Sequence, residues 1–360
     1  MTHPIRFKTG LLFLLLIVCT LILSGCGDLA EIQDRDFVLA IGISYDDENY
    51  RITYCLPDLG TVTGQSHPTD KSTLLRTYSG KSIREIEQSY NLNSEKRLDY
   101  RHLQVIVLDS SVCSEPAAMK ELLIQIDDYY DISHNVLVYF YESDVRALLD
   151  TKGINGSIGE HLNKMNKNNF VGGRKPAKIG TLIDCIENDR TLFIPALTNR
   201  ENSIAVNGGI FFRDNQMQRP VSQPESDFYY IAGGIGRDYL IRTASDHLIR
   251  IGEVKTKASY ELTDQGPGIN LHITGSARIL PGTGTAAPDS PLLMDETNNY
   301  IKDCIETELN DFMKRDNIDF LNLYEQSSYK SRRTWLRYQN RLSDFINDVR
   351  ISVTVELSYQ

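Results

Sequence analysis

Seven histidines, His3, His67, His102, His134, His161, His247 and His272, are scattered along 360 residues with no H-x-x-x-H or H-x-x-E-H spacing. The paired imidazoles on one helix face that zinc hydrolysis needs are therefore missing. His102 leads into an apolar run and reads as a hydrogen-bonded core or edge histidine rather than a ligand or base. Ser327-Ser328-Tyr329-Lys330 has the S-x-x-K spacing of serine-acylating enzymes, but S-D-N is absent and the K-T-G, Lys8-Thr9-Gly10, lies in the N-terminal leader. Gly172-Gly173-Arg174-Lys175 and Gly233-Gly234-Ile235-Gly236 lack the spacing with which backbone amides cradle a phosphate, and read as turns. Asp46-Asp47-Glu48 and Asp127-Asp128 lack the ligand spacing of a calcium loop and read as solvated turn and helix faces. No nucleophile, base and oxyanion donor come together, so the residues give no catalytic, cofactor or metal site and the chain is expected to be no enzyme.

One cysteine stands in a setting of its own. Residues 1–10 carry Arg6 and Lys8 and no acid, residues 11–23 are apolar apart from Cys19 and Thr20, and Leu23, Ser24 and Gly25 lead into Cys26. As a helix, residues 11–23 would span about 20 Å, short of the roughly 30 Å of a bilayer's hydrocarbon core. The segment reads as a cleaved secretion signal ending in a lipobox. It is similar to the leaders of bacterial lipoprotein precursors, which implies that the Cys26 thiol takes a diacylglycerol, with further acylation of the palmitate type, and becomes the new N-terminus. Cys55, Cys113, Cys185 and Cys304 form no C-x-x-C. They could make two disulfides in an exported protein, while their wide separation and apolar neighbours suit buried free thiols.

Removal of residues 1–25 leaves 36 basic against 48 acidic side chains, a net charge of −12. Such a surface repels nucleic acid and anionic headgroups, so membrane contact is expected from the lipid and not from a polybasic patch. The remaining length suits about two domains with substantial cores.

The elements that would position any site follow from periodicity. Phe37–Ser44 and Tyr50–Leu56 are β-rich runs joined by the turn residues Asp46–Asn49. Ser82 and Glu85 open a helix as a capping box, and Ser157 and Glu160 open another within a helical stretch, 156–190, that is interrupted at Val171–Pro176. His102–Asp109 and Asn135–Tyr141 read as strands flanking a helix over 115–129. Leu192–Ala196 and Ile204–Phe212 begin a new run of strands, placing a domain boundary near residue 191. Further strands are expected at Asp238–Ile241, His247–Ile251, Glu253–Leu262 and Ile269–Ile279, then a loop over Pro281–Pro291. Helices follow at Met294–Lys314 and Thr334–Asn347, the latter with Trp335 and Phe345 on its core stripe, and Val349–Leu357 alternates as a closing strand. The fold class is α+β, with mixed sheets and packed helices. Its segments are 1–25 (signal), 26–36 (tether), 37–191 (N-terminal, α/β-rich) and 192–360 (C-terminal, strands first, then two helices and a final strand).

The order of these segments resembles the Ger(x)C family, the lipoprotein C subunits of spore germinant receptors. Cys26-Gly27-Asp28 and Ala40-Ile41-Gly42-Ile43-Ser44 stand where the family has C-W-D and G-I-x-x-D, without the tryptophan. Arg97–Val107, Phe193-Ile194-Pro195-Ala196, Val206–Phe212 and Trp335 running into Val349–Val355 are similar to its later motifs, while Asp316–Glu325 replaces its D-(I/V)-x-G-F-G. The resemblance implies a lipid-tethered, extracytoplasmic, non-catalytic protein on the outer face of the spore inner membrane. Its partners would be integral-membrane A and B subunits, and its role assembly and signalling in nutrient-triggered germination. The one functional residue carried over is Cys26. The alternative is a substrate-binding lipoprotein of an ABC transporter, against which stands the second half's order of strands together and then helices together.

Overall fold

Residues 34–57, 73–151, 157–167, 176–188, 190–200, 203–235, 238–280 and 291–359 are described by a computed structural model. The described chain begins with a short strand, β1 (Arg35–Phe37). At the turn expected over Asp46–Asn49, Asp47 and Glu48 both adopt positive φ, 49° and 59°, as a two-residue hairpin demands. They join β2 (Ala40–Asp46) to β3 (Asn49–Pro57), and β4 (Thr73–Gly80) pairs with the far side of β3. Helix α1 (Ile83–Leu92) opens on the hydroxyl of Ser82, which accepts the Glu85 N–H, while the Glu85 carboxylate takes the Lys81 N–H at 2.8 Å in place of the cap's own. The expected strand at His102–Asp109 is shorter. Asp99, the last residue of β5 (Arg97–Asp99), caps a tight turn at Tyr100–His102 with its carboxylate, and β6 runs only over Val105–Asp109.

After β6 come α2 (Ser110–Cys113), α3 (Pro116–Asp127), β7 (Leu137–Tyr141) and α4 (Val145–Leu149). The helical stretch expected over 156–190 supplies α5 (Ile158–Lys167), β8 (Ala177–Lys178) and α6 (Ile179–Glu187), with the Ser157 hydroxyl accepting the Glu160 N–H. Then β9 (Leu192–Arg200), β10 (Ser203–Arg213) and β11 (Gln216–Val221) complete a nine-stranded sheet of order β11-β10-β9-β7-β6-β2-β3-β4, with β8 beside β7. This sheet therefore runs across residue 191. Its centre is parallel and covered on both faces. In β6, Ile106 and Leu108 point into the core under α1, α3 and α6, and Val105 and Val107 point into a second core under α4 and α5. Helix α5 approaches so closely that a Cβ on Gly159 would lie 2.4 Å from the Leu39 carbonyl oxygen.

Helix α7 (Gln223–Ala232), which the periodicity does not anticipate, leads to a second sheet, β12 (Tyr239–Arg242), β13 (Leu248–Thr263), β14 (Gly266–Ile279) and β15 (Arg350–Tyr359), in that order. The two strands expected within 247–262 are one, kinked where Glu253 takes φ 53° and the register with β14 shifts. Helices α8 (Pro291–Asp316), α9 (Leu323–Lys330), α10 (Arg332–Tyr338) and α11 (Leu342–Asp348) precede the closing strand β15 (Arg350–Tyr359), which joins β14 in parallel. The helix expected over Thr334–Asn347 is thus two, separated where Asn340 adopts φ 59°. On the edge of β15, Asn310 and Glu306 of α8 take over the ladder's duties. The Glu306 carboxylate accepts the Val353 N–H at 2.6 Å, and the Asn310 amide donates to the Ile351 carbonyl at 3.1 Å.

Strands β9 and β10 serve two cores at once, because successive side chains leave a strand on opposite faces. Ile194, Ile210 and Phe212 belong to the core of the first sheet, while Phe193 and Phe211 belong to the core of the second. There Phe193 meets the rings of Tyr229 and Tyr230 of α7, and Phe211 those of Tyr229, Phe312 and Phe320, at centroid distances of 4.9–5.4 Å.

Candidate functional site

The lipobox Leu23-Ser24-Gly25-Cys26 lies outside the described residues; what the fold describes is how the chain that follows is held. Strand β1 pairs in parallel with β5, and Asp99 gathers the cations around it. Its carboxylate accepts from Arg35 at 2.9 Å and from the Arg101 Nε at 2.9 Å, and its carbonyl accepts the Val38 N–H. Asp99 is 4% exposed, and the hydrogen bond from Arg101, reinforced by Arg35, holds its carboxyl well below the usual carboxylate range. Tyr90 of α1 donates to Asp36, and the Phe37 ring meets His102 edge-on at 5.0 Å. His102 is thus an exposed edge residue at the turn, not a core one.

A cleft of 570 Å³ lies at the joint between the two sheets, lined by the end of α6, the start of β9, the β10–β11 turn and the helices α9–α11. Its polar groups serve one another. Arg190 spans it, donating to Asp184 at 2.7 Å and to Glu325. Asn322, at φ 52°, treats Thr191 as a strand would: its amide oxygen accepts the Thr191 N–H and its nitrogen donates to the Thr191 carbonyl, both at 3.3 Å. Asp319 is buried and caps α9, its two oxygens accepting the N–H groups of Leu323 at 2.8 Å and Tyr324 at 2.6 Å. Burial pushes its carboxyl up to about 6, against those two hydrogen bonds. Arg213 donates to the Asn317 carbonyl at 2.9 Å. Trp335 forms an aromatic wall, its ring 5.2 Å from that of Tyr324, and is only half-buried. The expectation of a core tryptophan does not hold, because the break at Asn340 turns α10 away from the stripe that buries Phe345 completely.

Chemically, the cleft is a joint. Both oxygens of its buried carboxylate are committed to backbone amides, Arg190 to two carboxylates and the Arg213 Nη1 to a carbonyl, while the buried Arg213 Nε has only the Asp214 carboxylate at 3.5 Å. Ser327 is buried and donates to the Tyr324 carbonyl at 2.6 Å, while Lys330 turns to Gln326 at 3.0 Å, so the S-x-x-K residues do not meet. Gly233 and Gly234 end α7, with φ 63° at Gly234, as a turn; Gly172-Gly173-Arg174-Lys175 falls outside the described residues. Asp127 faces His134 at 3.0 Å. Cys55, Cys113 and Cys185 are buried free thiols, and Cys304 is a partly buried one. Among the described residues no three His, Cys, Asp or Glu side chains are grouped to hold a metal ion, and no helix is long and apolar enough to cross a membrane. Sequence reasoning missed Arg190, Arg213, Asp319 and Asn322, each solitary in the chain. The available signal was Asn317, Asn322 and Asn340, asparagine being among the few residues that tolerate positive φ.

Residues 28–199 match the family described as spore germination protein N-terminal domain. Spore germination protein A3 of Bacillus subtilis (strain 168) is 21% identical over 215 residues, which are 59% of this chain and 57% of that protein, so the alignment spans little more than half of its relative. The crystal structure of the GerBC protein superposes with a TM-score of 0.59 over 89% of this chain and 96% of that one, at 13% identity, and so shares the α+β fold. The transporter-lipoprotein alternative finds no support among them.

Proposed function

We propose that this chain is a spore germination protein of the Ger(x)C type, a lipid-anchored C-type subunit of a germinant receptor, non-catalytic, acting in assembly and signalling. The anchor is the diacylglycerol on Cys26, and the partners are integral-membrane A and B subunits on the outer face of the spore inner membrane. One observation carries the reading: the region matching the spore germination domain begins at Asp28, two residues beyond the lipobox cysteine. A chain released from the signal at Cys26 would present this domain to the membrane at once, through residues 27–34 and the clamped strand β1. Two acyl chains, each gaining about 0.8 kcal/mol per buried methylene, make such an anchor persistent.

The test is membrane fractionation of spores carrying the tagged chain, with identification of what copurifies. The wild type should enter the membrane fraction with two integral-membrane subunits. Cys26→Ala should give an unprocessed or released chain that no longer supports the germination response. A Cys26→Ala chain still processed to mature size and still membrane-bound, or a wild type that copurifies with a solute transporter, would overturn the reading.

A further inference from the structure

The net charge of −12 hides one segment of opposite character. Between Glu325 and Asp344 the sequence has no acid and five cations: Lys330, Arg332, Arg333, Arg337 and Arg341. The fold places all five on the surface across the end of α9, α10 and the turn into α11. Two large apolar side chains stand among them, Tyr329 at 70% exposure and Leu336 at 62%. Local contacts hold the cations in place without neutralising most of them: Lys330 lies over the Tyr260 ring at 5.5 Å and Arg337 over the Tyr338 ring at 5.5 Å. Arg341, at the rim, pairs with Asp344 at 2.6 Å. Exposed leucine and tyrosine set among arginines and lysine match the composition of surfaces that settle into the headgroup layer of an anionic bilayer.

A lipid on Cys26 would hold the folded chain close to the bilayer on a short tether. Eight residues, 27–34, separate Cys26 from β1, and eight residues span at most about 28 Å. We propose that the α9–α10 surface is a second membrane contact, a seat for anionic phospholipid headgroups that orients the anchored chain flat on the bilayer. This rests on the lipid-anchor reading. It also refines the expectation that so acidic a chain would avoid anionic lipid, since a local patch governs contact within about a Debye length, 8–10 Å, whatever the net charge.

The test uses the full lipidated chain carrying Leu336→Cys labelled with an environment-sensitive fluorophore, the labelled parent without that cysteine serving as background. Vesicles are of phosphatidylcholine alone or of equal parts phosphatidylcholine and phosphatidylglycerol. The proposal expects a blue-shifted emission, quenched by brominated lipid, on phosphatidylglycerol vesicles only. The shift should be lost at raised salt and in Arg332→Glu/Arg333→Glu, whose unfolding midpoint should equal that of the parent. A chain that floats with both vesicles while the label stays in water on both keeps its anchor and overturns the seat, leaving an acidic protein surface as the partner. A chain that floats only with phosphatidylglycerol supports the seat and overturns the anchor. A chain that floats with neither overturns both.

Discussion

Trp335 and Phe345 share one amphipathic pattern in the sequence and part company in the fold, so truncating each in turn measures what the break at Asn340 does. Phe345 is fully buried, with ring neighbours Tyr324 at 5.4 Å and Tyr338 at 5.8 Å. Phe345→Ala removes a core ring and leaves a cavity, at a cost of about 3–5 kcal/mol. Trp335 is half-buried against Tyr324. Its truncation loses an aromatic pair, about 0.5–1.5 kcal/mol, and part of a burial that is worth roughly 1.5–3 kcal/mol when complete; the cleft beside it leaves no new void to hold open. Trp335→Ala should therefore cost about 1–3 kcal/mol, some 2 less than Phe345→Ala, which is roughly 3 °C in midpoint at this chain length. Trp335 is the sole tryptophan, so the variants must be compared by far-ultraviolet circular dichroism, and in the parent its emission should be readily quenched by acrylamide. Equal midpoints for the two variants, or a tryptophan that acrylamide cannot reach, would refute this placement.

The Asp319 carboxyl, raised to about 6 by burial, contributes stability that is present below the unfolded value near 3.9 and lost as the pH rises through 6. Melting curves from pH 4 to 7 should accordingly show Asp319→Asn gaining on the wild type with rising pH, and parallel curves would reject the assignment. Asp99 has the opposite sign, its stabilisation present at neutral pH and lost as the pH falls below the ordinary carboxylate range. Asp99→Asn should loosen β1, read as faster tryptic cleavage after Arg35 in the folded chain; an unchanged rate would mean that the pairing with β5 alone holds the strand. Gly159→Ala must push α5 away from the Leu39 carbonyl, and an overpacking cost of about 1–3 kcal/mol or more should appear in its thermal midpoint; an unshifted midpoint would show that the helix yields freely.

What was legible in the sequence was whatever a local signal dictates. The turn at Asp46–Asn49, the caps at Ser82 and Ser157 and the alternation in the closing strand each depend on a few adjacent residues, and each stands where it was read. The elements that escaped lack such signals. Helix α4 is five residues long, and Gln223–Ala232 carries Pro224 and a run of aromatics that read as neither period. Asn340 and Glu253 divided one helix and kinked one strand through positive φ, which hydrophobic periodicity does not register. Which sheet a strand joins is a long-range property. Leu192–Phe212 could be recognised as strands, yet nothing in their composition says that they hydrogen-bond to Leu137–Tyr141 and its neighbours rather than open a sheet of their own. The cleft was invisible for the same reason, since Arg190 and Glu325 lie 135 residues apart. The lipobox proposed at Cys26 is a signal of the local kind, read as sequence before any fold exists.

The sharing of β9 and β10 between two cores bears on how such a subunit could carry a signal. In a hinged two-lobed binder, few contacts cross between the lobes and the linkers bend. Here Phe193 and Ile194 are successive residues of one strand, buried on opposite faces in different cores, as are Ile210 and Phe211 on the next. Close-packed interiors have two arrangements or one and do not deform continuously, so separating the two sheets would expose both sides of the same strands together. Arg190 and Asn322 tie the rim of that joint with charge and with strand-like hydrogen bonds. The described parts therefore form one packed unit, and on the proposed membrane reading a partner would alter the placement and tilt of that unit on the bilayer. On the proposed reading, those are the quantities that the clamp at Asp99, behind the anchor, and the cationic surface of α9–α10 would set.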